Sequence, residues 1–94
     1  MTTIEVKEDY IHVYGHSGYA EIGHDIVCSA VSTLTESLDR YLRRTENNVE
    51  STEAPGEYTI YLNKLNDAGG ALIIEYICMI DEISKDYPDN VRRI

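Results

Sequence analysis

The sequence predicts an α+β fold: a small, mostly antiparallel sheet with two helices packed on one face, in the order β-β-α-β-β-α-β. Two kinds of pattern lead to this reading. Short stretches alternate apolar and polar residues, which is the period of a half-buried strand. Two longer stretches space their apolar residues by three and four, which is the period of an amphipathic helix. With 94 residues, positions 1–94 form a single domain.

The first strand is set by Ile4 and Val6 alternating with Thr3, Glu5 and Lys7. Glu8-Asp9 supplies a turn, and Tyr10 to about Gly15 returns as a second strand with Ile11 and Val13 on its apolar side. A loop flanked by Gly15, Gly18 and Gly23 leads into a helix from about His24 to Arg44. On that helix Val27, Ala30, Val31, Leu34, Leu38, Tyr41 and Leu42 share the apolar face. Arg40, Arg43 and Arg44 gather at its C-terminal end, where cations suit the helix dipole. Thr45 to Thr52 is polar and reads as loop or edge strand; Ala54-Pro55-Gly56 reads as a turn. Tyr58, Ile60 and Leu62 then alternate with Glu57, Thr59 and Tyr61 as a strand. Asn66-Asp67 opens the second helix, which runs to about Lys85 with Leu72, Ile73, Tyr76, Ile80 and Ile83 on its main face. Ile74 and Ile77 lie off that face, an apolar surplus that suggests a subunit interface. Val91 to Ile94 closes the chain as a last strand.

The net charge is −9, from 17 acidic and 8 basic side chains. This argues against nucleic acid as a direct partner, since such binding rests on phosphate neutralisation. It suits a basic protein or peptide. The first residues lack the basic start and apolar run of a signal peptide, and no stretch reaches membrane-spanning length. Two cysteines in that context read as reduced thiols in a cytoplasmic setting. All eight aromatics are Tyr.

Chemistry concentrates between Gly15 and Cys28. A histidine closes a strand, a glycine-punctuated loop follows, and Cys28 falls in the first turn of a helix, where the dipole favours a thiolate. Helical phase puts Asp25, Cys28 and Ser32 on one side and Leu34 and Leu38 on the other, so Cys28 is off the core face. His16 and His24 are both within reach as its base, and spacing does not choose between them. Asp25 caps the helix or orients a histidine. Ser32 reaches Cys28 or a substrate, or simply faces solvent. The loop carrying Gly18 and Gly23 reads as flexible and able to close over a ligand. Cys78, with Glu75, Asp81 and Glu82 one turn away, reads as inert or interfacial. His16, His24, Asp25 and Cys28 are also of donor types that zinc accepts, but no paired ligand spacing supports a metal site, and no cofactor is expected.

The run Gly15-His16-x-Gly18-x-Ala20, followed by Gly23-x-Asp25-Ile26-Val27-Cys28-x-Ala30-x-Ser32, resembles the signature of the ribosomal-processing cysteine protease family (Prp). The likeness extends to the closing Asn90-Val91-Arg92 segment. It implies a small homodimeric protease with a Cys–His dyad, in which His16 matches the catalytic histidine and Cys28 the nucleophile. Asp25 and Ser32 match further active-site positions. The implied substrate is the N-terminal extension of bacterial large-subunit ribosomal protein twenty-seven, or a phage structural protein. Two other classes stay open: a non-catalytic assembly factor that binds a basic ribosomal or capsid protein, and a small metal-binding domain.

Overall fold

The structure, a computed structural model, describes residues 1–21 and 25–94. Its elements are β1 (Thr2–Val6), β2 (Tyr10–Tyr14), α1 (Ile26–Arg44), β3 (Glu50–Ala54), β4 (Glu57–Tyr61), α2 (Asp67–Asp86) and β5 (Val91–Arg93). The five strands form one sheet in the order β3-β4-β2-β1-β5. Every neighbouring pair is antiparallel except β1 and β5, which run parallel.

Register explains the two faces of the sheet. Ile4 sits opposite Val13, and Ile11 opposite Ile60, so the apolar residues of three strands point the same way. The helices cover that face. Ile4, Ile11, Ile60, Leu42, Ile80 and Val91 are fully buried in one cluster, completed by Val27, Val31, Leu38 and Tyr76. Truncating Leu42 or Ile80 to Ala is expected to cost about 2–5 kcal/mol. The opposite face is polar and aromatic: Tyr10 donates to Glu5 at 2.5 Å, and His12 lies 2.7 Å from Glu57.

The helices depart from the expected boundaries in informative ways. β2 stops at Tyr14, and the Gly15 N–H bonds instead to the Gly56 carbonyl at 3.0 Å, which ties the end of β2 to the β3–β4 turn. α1 starts at Ile26 rather than about His24, because Asp25 has extended backbone angles and acts as the N-cap. The buried side of α1 is also rotated from the expected stripe. Ala30 and Tyr41 are exposed, while Thr35 and Asp39 are buried. Both have partners: Thr35 shares a 2.9 Å hydrogen bond with the Tyr76 hydroxyl, and Asp39 accepts from Tyr58 at 2.5 Å and from Arg43 at 2.7 Å. Arg43 also donates to Ser51 at 3.1 Å, so one basic residue of the last turn fastens α1 to β3.

Of Thr45–Thr52, which reads as loop or edge strand, the part from Glu50 onward is edge strand β3; the strand runs on to Ala54, where a turn is expected, and among the described residues it pairs only with β4. Asn66 caps α2 by accepting from the Gly69 N–H at 2.9 Å. Tyr76 and Ile80 of its expected face are buried, with Leu72, Ile73 and Ile83 half-buried. Ile74 is 65% exposed.

Candidate active site

A groove of about 980 Å³ runs between the start of α1 and the β3–β4 turn. His16, Gly18, Asp25, Cys28 and Ser32 all line it. The sequence therefore identified residues that the fold does bring to one place. Gly23 and His24, the other loop glycine and the rival histidine, lie outside the described residues.

The site is built around the cap of α1. Asp25 Oδ1 accepts from the N–H groups of Val27 and Cys28 at 3.0 and 2.9 Å. Its Oδ2 accepts from the Ser17 hydroxyl and from the N–H groups of Tyr19 and Ala20 at 3.1 and 3.3 Å. Burial pushes the Asp25 carboxyl up, but the Ser17 hydroxyl and the N–H groups of Cys28, Ala20 and Tyr19 outweigh it and bring it from 3.8 to about 2. One carboxylate thus starts the helix and folds the preceding loop onto it.

That folding puts the loop against the thiol. Cys28 is half-buried in the first turn of α1, and its Sγ accepts from the Ser17 N–H at 3.4 Å. His16 is the next residue back along the chain. Its exposed imidazole rests over Gly56, where a Cβ would stand 3.0 Å from Nε2. Among the described residues no hydrogen bond joins His16 to Cys28 directly. Such bonds are often loose before substrate binds. Ser32 is exposed one turn beyond Cys28. Cys78 is exposed on α2, away from this groove.

Ser17 was not singled out from the sequence. It is 1% exposed, and its backbone N–H, hydroxyl and carbonyl are all engaged. A small polar residue between a histidine and a glycine gave no periodic signal of burial. The walls of the groove were missed as well. Glu21, Glu36, Glu53 and Glu57 line it, and among the described residues no Lys or Arg does. As for a metal, both Asp25 oxygens already accept from N–H and O–H donors, and among the described residues no three His, Cys, Asp or Glu side chains gather as a donor set.

A small α+β domain that sets a thiol and an imidazole on the wall of a groove of peptide-binding size has the layout of a cysteine protease. The sequence pattern of the cysteine protease Prp family matches residues 1–92, and the chain belongs to that family. The fold agrees. The ribosomal processing protease Prp from S. aureus, in complex with a covalently linked product peptide, superposes with a TM-score of 0.89 at 20% identity, over 99% of this chain and 97% of that one. The same S. aureus protease with a substrate peptide gives 0.82 at 19% identity, over 99% and 95%. A protein from Streptococcus mutans gives 0.73 at 25% identity, over 98% and 89%. Among curated proteins none matches this sequence.

Proposed function

We propose that this cysteine protease removes the N-terminal extension of large-subunit ribosomal protein twenty-seven, with Cys28 as nucleophile and His16 as its acid–base partner. One observation carries the assignment of the pair. Cys28, in the first turn of α1, and His16, on the loop folded against it, line one groove. The S. aureus relatives are ribosomal processing proteases bound to product and substrate peptides, which supports the substrate class.

In the first step the Cys28 thiolate attacks the scissile carbonyl carbon and the C–N bond breaks. Protonated His16 gives its proton to the leaving amine. In the second step neutral His16 takes a proton from water, the hydroxide carbon–oxygen bond forms, and the thioester releases Cys28. Asp25 keeps the loop and the helix start together, and Ser32 lines the path of the bound chain. Gly18 lines the groove beside the thiol, where it meets the bound chain. The four groove glutamates favour a basic chain. The working form is a homodimer in the cytoplasm, with the exposed Ile74 and Met79 of α2 in its interface.

The test is incubation with the ribosomal protein precursor followed by intact-mass analysis. Loss of one N-terminal fragment is expected. An uncut precursor refutes the substrate, and cleavage of a phage structural protein in its place moves the enzyme to a phage setting.

A further inference from the structure

The closing turn of the chain reaches the nucleophile through one residue. The Asn90 side-chain amide donates to the Ser17 carbonyl at 2.9 Å, across 73 positions of sequence. Asn90 is itself fixed by its backbone: its carbonyl accepts from the Thr2 N–H at 2.8 Å, and its N–H donates to the Tyr87 carbonyl at 3.0 Å. Tyr87 meets the ring of Tyr19 edge-on at 5.3 Å, a second contact between the same turn and the same loop. On its other side, Ser17 presents its N–H to the Cys28 sulfur at 3.4 Å. The Ser17 carbonyl and N–H belong to adjacent peptide planes, so holding the first restricts the direction of the second.

We propose that Asn90 is a positioning residue of the active site: its amide holds the Ser17 carbonyl so that the Ser17 N–H points at the Cys28 sulfur. The proposal rests on the reading of Cys28 as nucleophile, and it assigns a task to the α2–β5 turn, which otherwise only joins two elements. An N–H donor favours the anionic sulfur over the neutral thiol. The effect reaches Cys28 through the loop, without contact between Asn90 and substrate.

Limited iodoacetamide labelling of the full chain at neutral pH, read by peptide mapping, tests this without any substrate. Cys78 serves as internal control. In Asn90→Ala and in Asn90→Leu, which keeps the bulk and removes the donor, Cys28 is expected to label about fivefold more slowly relative to Cys78, the worth of one ordinary hydrogen bond. The sign separates positioning from mere loosening, because a loosened loop exposes half-buried Cys28 and speeds its labelling. Unchanged or faster labelling of Cys28 in folded variants overturns the proposal. A second measurement covers the case in which both variants unfold. In Cys28→Ala the Ser17 amide is expected to exchange with solvent about fivefold faster than in the wild type, and equal rates overturn the proposal. Failure of the protease reading shows instead as an uncut precursor with these labelling differences intact.

Discussion

Gly56 is the position where a one-atom change addresses the proposed histidine most directly. It sits at the β3–β4 turn with φ +71, in the left-handed region, so alanine there costs about 1 kcal/mol of backbone strain. The new Cβ would stand 3.0 Å from His16 Nε2 and 3.2 Å from Cε1. The ring is exposed and can swing away, so the contact itself adds little to the stability loss. Swinging away moves the proton-transferring nitrogen by a few tenths of an ångström. A displacement of about 1 Å costs about a hundredfold in rate, so Gly56→Ala is expected to lower kcat by about three- to tenfold. Urea titrations should show only the small stability loss of a strained turn, and turnover should fall beyond it. The assay is steady-state cleavage of the ribosomal protein precursor, with the variant shown to be folded. Full turnover in Gly56→Ala would refute the placement of His16 Nε2 at the reacting centre.

His16→Ala is expected to abolish turnover and His24→Ala to reduce it much less; a dead His24 variant with an active His16 variant would reverse the assignment of the base. The Asp25 carboxyl is depressed in the folded chain, so the unfolded chain takes up its proton first. Its contribution to stability is present above about pH 4 and is lost as pH falls toward about 2. Urea titrations across that window should show a steeper fall in the wild type than in Asp25→Asn, and parallel curves would contradict the cap geometry. Sedimentation at micromolar concentration should give a dimer that Ile74→Glu dissociates, since it places a charge on the exposed apolar part of α2.

The parts of the fold legible in the sequence were those where burial follows a simple period. Ile4 and Val6, Ile11 and Val13, and Tyr58 and Ile60 alternate because one face of the sheet meets the helices and the other does not. β3 was ambiguous for the opposite reason: Glu50–Ala54 lies at the sheet edge with most of its side chains exposed, so no alternation marks it. Thr35 and Asp39 escaped the apolar stripe of α1 because polar burial depends on partners far along the chain, Tyr76 and Tyr58. The same logic hid Ser17, whose role comes from Asp25, Cys28 and Asn90 together. The Asp25 cap and the place of Cys28 in the first turn of α1 were readable from the Gly15–Cys28 run, whereas spacing did not choose between His16 and His24. The acidic groove was not, because Glu21, Glu36, Glu53 and Glu57 come from a loop, a helix and two strands that only the tertiary fold brings together.

In the proposed reaction Cys28 is the group that takes the acyl chain. A reaction with the precursor, quenched in acid within one turnover and mapped by peptide mass, reads this directly. The expected result is the N-terminal fragment joined as a thioester to the peptide carrying Cys28, with neither adduct nor cleavage in Cys28→Ala. Cleavage that continues in Cys28→Ala, or an adduct on Cys78, would contradict the mechanism.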